Sequence, residues 1–103
     1  MAIFDALSAS TATIAAHCDY MATISRWLVS KGVGRDTASG YVASIFAGLA
    51  PVLRAGCDLD GLAREHATRG GLNELFRNHM IESGMPDAVE RGLDRVLRMI
   101  AAT

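Results

Sequence analysis

From Thr37 to Leu53 the chain carries no charged side chain, a run of seventeen residues in a protein of 103. A helix that is apolar along one stripe belongs at a surface, whereas one that is apolar all round must be covered on every side. Charge is crowded elsewhere. Residues 1–57 hold seven charged side chains (Asp5, Asp19, Arg26, Lys31, Arg35, Asp36 and Arg54), and the shorter span 58–103 holds fourteen. A chain of this size removes only about two-thirds of its surface from water on folding. It therefore has little interior in which to hide such helices, and the first half is expected to pack against another chain or domain.

Half of the residues are apolar and the formal net charge is −1, which excludes a disordered chain, since disorder pairs low hydrophobicity with high net charge. The same balance excludes a general nucleic-acid binder, which needs a marked basic excess to neutralise phosphates. Cys18 and Cys57 stand alone, with no CxxC and no ligand cluster around them, as suits a reducing compartment better than a disulfide scaffold. Met1-Ala2-Ile3-Phe4-Asp5 has no basic flank and an acid in its first turn, unlike a secretory leader. Arginine supplies nine of the ten basic residues, a usage that suits a GC-rich genome, and the expected location is a bacterial cytoplasm.

Apolar periodicity places a long helix over Ser8–Ser30, with Ile14, Cys18, Met21 and Leu28 on one face and Tyr20, Ile24 and Trp27 on a second. Ser8 or Ser10 can cap it, and Lys31-Gly32-Val33-Gly34 ends it. A second helix is expected from Asp36 to Arg54, kinked or frayed by Pro51. Gly40, Ser44 and Gly48 recur in it every four residues, a flat track on which another backbone can approach, as in membrane helices. The uncharged run falls short of the length a membrane span needs, so no membrane role is expected. A third helix runs from Asp58 to about His66, a fourth from the Gly70-Gly71 pair to Ser83, and a fifth from Pro86. The fifth turns Val89, Leu93, Val96, Leu97 and Ile100 inward. No segment alternates with period two for long enough to form a strand. The fold class is all-α, with about five helices in a single domain over residues 1–103.

The pair Gly70-Gly71 carries the most information. Glycine weakens a helix by about 1 kcal/mol per residue, so two in succession between helices need a reason. One is a turn of positive φ closed by Thr68 as N-cap. Another is an anion site: bare N–H groups at a helix start, the helix dipole behind them, Asn73 able to donate to a carboxylate and Arg69 supplying a full charge.

The run from Ala63 to Met99, headed by Thr68-Arg69-Gly70-Gly71-Leu72-Asn73-Glu74, resembles the C-terminal dimerisation domain of the pyrroline-5-carboxylate reductase-like oxidoreductases. That family has a Pro-Gly-Gly-Thr-Thr type segment before a helix and then a long final helix. Upstream, the long helix through Trp27, the Gly-Val-Gly break and the Ala/Gly-rich helix ending near Arg54 extend the likeness to nearly the whole chain. The resemblance implies a homodimer made by two long, charge-poor, interlocked helices. It also implies a separate nucleotide-binding domain that holds NAD(P), and a small carboxylate substrate met by Arg69, Gly70, Gly71 and Asn73. Gly70 and Gly71 match the family glycines, Arg69 stands for its proline, and Leu72 and Asn73 stand for its threonines. The family's Gly-Ser-Gly-Pro is replaced by Ser8-Ala9-Ser10-Thr11-Ala12. These departures favour a related reductase over the proline-forming enzyme itself.

No GxGxxG follows a strand and there is no room for a βαβ unit, so these residues are expected to bind no dinucleotide and to be silent in redox chemistry. The alternative is a free-standing homodimeric helical module with no small-molecule chemistry. His17, His66 and His79 lack the i, i+4 spacing of a helical metal site, and no metal is expected. Of the three, His66 stands nearest the glycine pair, and Glu65 and Glu74 are candidates for acid–base work or for capping beside it.

Overall fold

The computed structural model describes residues 2–102. Among them every regular element is helical: α1 (Ile3–Ser10), a 3-10 turn (Thr11–Thr13), α2 (Ile14–Ser30), α3 (Arg35–Ala47), α4 (Ala50–Ala55), α5 (Leu59–His66), α6 (Leu72–Glu82) and α7 (Met85–Ala102). The fold is all-α. Two compact units divide the chain, one of residues 13–56 and the other of residues 1–12 with 57–103.

The unit of residues 13–56 is a helical hairpin of α2 and α3, continued by α4. Its turn follows from Gly32, which has φ +98°, a conformation that costs glycine nothing because it has no Cβ. With that residue left-handed, Val33 N–H reaches back to Leu28 O (3.1 Å) and Gly32 N–H to Val29 O (3.0 Å), the paired bonds of a Schellman motif that satisfy the last carbonyls of α2. Lys31 Nζ lies 5.7 Å from the Trp27 ring centre beside this turn. The helices meet along Ala38, Val42 and Phe46, one face at four-residue spacing. Ala38 is fully buried and Val42 is 2% exposed, while the Phe46 ring stands edge-on to His17 (5.7 Å) and Tyr20 (6.0 Å).

The expected helix from Asp36 to Arg54 is divided at Gly48–Leu49 rather than kinked at Pro51. Proline lacks an N–H and its ring crowds the carbonyl four residues back, here that of Ala47, the last residue of α3. The chain responds by tightening: Leu49 N–H bonds to Phe46 O, and Pro51 sits in the first turn of α4, where no N–H is needed. Gly48 thereby leaves the small-residue track and becomes the C-cap of α3.

The expected helix from Ser8 to Ser30 also differs. Helix begins five residues earlier, at Ile3, with Ala2 at the N-cap, and α gives way to 3-10 over Thr11–Thr13. Neither serine caps a start. Ser10 Oγ donates back to Leu7 O (2.6 Å) and Thr11 Oγ1 to Ser8 O (2.7 Å), the backward bonding by which hydroxyl side chains compete with the ladder and bend a helix.

In the other unit α1 and α6 both pack on α7. Ala9 is its one buried apolar residue among those described, at 3% exposure. Leu93, Val96, Leu97 and Ile100 are half-buried as expected of the inward face of α7, but Val89 is 46% exposed. Gly84, at φ +90°, ends α6, and its carbonyl accepts Ala88 N–H (2.9 Å) to open α7. Pro86 is the second residue of α7 and not the first.

Candidate functional site

The glycine pair lies between α5 and α6. Gly71 N–H donates to Thr68 O at 2.8 Å, closing a four-residue turn whose third residue, Gly70, has φ +78°. A type II turn demands positive φ at that place, hence glycine. Thr68 closes the turn through its carbonyl and is not the N-cap of α6; that position belongs to Gly71. Gly71 is extended, and a Cβ there would stand 3.0 Å from Thr68 O. The two glycines thus have separate reasons, one a dihedral and the other a close approach of backbone.

Gly70 N–H donates to Glu74 Oε1 at 3.0 Å. Glu74 is the third residue of α6, the position from which a carboxylate folds back over a helix start, and it also places a negative charge at the positive end of the helix dipole. One N–H of the glycine pair therefore already meets a carboxylate supplied by the chain. Both glycine N–H groups are engaged within the turn. The first bond of the helical ladder is Leu75 N–H to Gly71 O (3.2 Å), so Leu72, Asn73 and Glu74 supply the N–H groups of the opening turn. Arg69, Gly70 and Asn73 are exposed, and Gly71 is half-buried. Of the expected site residues, the structure brings the two glycines together with Glu74. The spacing Gly71-x-x-Glu74 is the sequence signal for that partnership, although the capping box places the reciprocal bond on the N-cap N–H rather than one residue earlier.

The other candidates are scattered. His66 Nδ1 lies 3.0 Å from Leu62 O, one turn back in α5. His17 stacks on Tyr20, with ring centres 6.1 Å apart, in the hairpin unit, and His79 is exposed on α6. Among the described residues no three His, Cys, Asp or Glu side chains gather as a metal site would need. Cys18 and Cys57 are free and exposed.

Gly40 and Ser44 lie on the side of α3 turned away from α2. Both are exposed, and nothing stands within 4 Å of where a Gly40 Cβ would be. Within the helical stretch Arg35–Ala55, 21 residues long, an 18-residue window has mean hydropathy 1.2, enough to cross a membrane by length and composition only. The length argument against a span counted only the uncharged run Thr37–Leu53, and this stretch is divided into α3 and α4 at Gly48–Leu49. No family model, no curated protein and no solved structure matches the chain.

Proposed function

We propose that the chain is a homodimeric helical module that performs the subunit-joining role of the dimerisation domain in pyrroline-5-carboxylate reductase-like oxidoreductases. The observation that carries this reading is its surface. Only Ala9, Ala38 and Val42 are buried among the described residues, so each unit keeps its large apolar side chains on its own surface. Both units contribute large exposed apolar side chains: Phe4, Leu7, Leu72, Leu75 and Phe76 in one, and Ile14, Trp27, Tyr41 and Ile45 in the other. Covering such side chains with a second copy gives an apolar interface of the kind obligate homodimers have, which run from about 2,000 to above 5,000 Å². Sedimentation equilibrium tests this directly. A dimer that persists to nanomolar concentration in 1 M salt is expected; a monomer at micromolar concentration overturns the reading. Recovery of the chain only in detergent would favour the Arg35–Ala55 stretch as a membrane segment instead.

The substrate-side part of the resemblance rests on Arg69, Gly70, Gly71 and Asn73. The carboxylate of Glu74 on Gly70 N–H supports it, because a substrate carboxylate would meet the same donor. A substrate carboxylate competes with Glu74 for the same N–H, so Glu74→Ala is expected to bind a cyclic imino-acid carboxylate more tightly than the native chain does. Calorimetry on both proteins checks this, and absence of heat from either removes the substrate role and leaves the free-standing module. NAD(P) belongs to a separate nucleotide-binding domain in this reading, and redox activity is expected only with that domain present.

A further inference from the structure

Helix α7 carries its charge in two stripes. At about 100° per residue, Arg91, Arg95 and Arg98 lie within an arc of about 60°, and Asp87, Glu90 and Asp94 fill the adjoining arc on one side. Ala88 and Gly92 border the arginines on the other side. All six charged residues are exposed. An open cleft of about 500 Å³ follows the arginine stripe, lined by Ala88, Arg91, Gly92, Asp94, Arg95 and Arg98. Among the described residues none of the three arginines has an ion-pair partner within 4.0 Å; the pair the structure shows is Arg64 with Asp58 at 3.7 Å.

The three arginines are not equivalent. Arg91 has Asp87 four residues before it and Asp94 three after, and Arg98 has Asp94 four before, spacings at which opposite charges attract along a helix. Arg95 has no acid at either spacing. Its neighbours there are Arg91, Gly92, Arg98 and Met99, and like charges at four residues destabilise a helix. The middle of the stripe therefore holds positive charge that the helix does not offset, beside two residues with one methyl group or none. Nothing stands within 4 Å of where a Gly92 Cβ would be, so an anion can lie close to the backbone there with guanidinium groups along its side. From Arg91 to Arg98 the stripe rises about 10.5 Å at 1.5 Å per residue, a span that suits several anionic groups in series better than one. Guanidinium forks match phosphate oxygens two at a time. The acidic stripe limits the ligand's size. A nucleic-acid strand or an anionic membrane would extend over Asp87, Glu90 and Asp94 and be repelled, whereas a compact oligophosphate reaches the arginines from the side of Ala88 and Gly92.

We propose that Arg91, Arg95 and Arg98 form a binding site for a short oligophosphate, free or carried by a nucleotide, with Arg95 as the central ligand and Ala88 and Gly92 as the floor. The site is independent of the apolar association and of the Gly70-Gly71 turn. The test is calorimetry on the full chain at low salt and without magnesium, with tripolyphosphate, orthophosphate and ATP as probes. The native chain is expected to bind tripolyphosphate saturably, and about tenfold or more tighter than orthophosphate, which engages fewer guanidinium groups. Arg95→Gln is expected to weaken tripolyphosphate by about tenfold or more, the effect of losing a charge-assisted hydrogen bond. Asp94→Asn is expected to tighten it, because a carboxylate leaves the cleft. Arg77→Gln, at an exposed position on α6, is expected to leave it unchanged. Either order of ATP and tripolyphosphate supports the site: tighter ATP assigns it to a nucleotide, and tighter tripolyphosphate to the free oligophosphate. No saturable binding by millimolar tripolyphosphate overturns the proposal, and so does orthophosphate that binds as tightly. Equal losses in Arg95→Gln and Arg77→Gln overturn it as well, since they mark diffuse attraction to the whole surface, and weaker binding by Asp94→Asn does the same.

Discussion

Glu74 decides how the turn before α6 is held. Its carboxylate accepts Gly70 N–H at 3.0 Å, and a hydrogen bond to a charged partner contributes more than a neutral one. Glu74→Ala is expected to lower stability by about 1 kcal/mol, with Glu74→Gln retaining part of the bond; thermal melts at one fixed protein concentration measure both. Gly70→Ala places a Cβ at φ +78° and is expected to cost about 1 kcal/mol, the penalty of a left-handed residue. No loss in that variant would mean the turn readily adopts another conformation. The sequence showed that this turn needs glycine and that an acid stands at the third helical position. It did not show that the acid and the glycine N–H satisfy each other, because that depends on one side-chain rotamer and on a turn closed by Thr68 O.

At the scale of the element, identical chemistry has opposite outcomes according to backbone conformation. Gly32→Ala works against φ +98° in the Schellman turn that ends α2, and a loss of about 1 kcal/mol is expected. Gly92→Ala lies inside α7 with open space around the new Cβ, and a gain of about 0.5–1 kcal/mol is expected from the better helix former. Denaturant unfolding of the two variants should therefore move in opposite directions; movement in the same direction would contradict one of these backbone assignments. Pro51 shows the limit of pattern reading at this scale. Its presence announced an interruption, but the chain broke at Gly48–Leu49, three residues before the proline, because the crowded carbonyl belongs to Ala47. The serines near residue 10 erred the other way: their composition reads as a cap, yet Ser10 and Thr11 bond backwards to Leu7 and Ser8 and sit within a longer helical run.

For the whole molecule the question is what covers the apolar surface. Only Ala9, Ala38 and Val42 are buried among the described residues, so neither unit has a core of large side chains. A chain that completes its core by association has a melting temperature that rises with concentration, since the partner acts as a ligand of the folded state. The single tryptophan offers a direct reading: Trp27 is 58% exposed, and its fluorescence is expected to move to shorter wavelength as the protein is concentrated in high salt. Constant emission and a constant melting temperature across a hundredfold range would contradict the apolar dimer.

Local physics determined much of this protein. The all-α class, the glycine turns and the outward charges of α7 follow from periodicity, from φ that only glycine adopts without strain, and from the cost of burying charge. The charge-free run Thr37–Leu53 likewise announced a surface in need of cover. Tertiary structure decided what local rules leave degenerate. It selected Ala38, Val42 and Phe46 as the face of α3 that meets α2, leaving Tyr41 and Ile45 outward, because packing chooses one stripe where hydrophobicity marks several. It also gave the Gly70 N–H to a carboxylate of the chain itself, because a donor is satisfied by whichever acceptor the fold brings within reach.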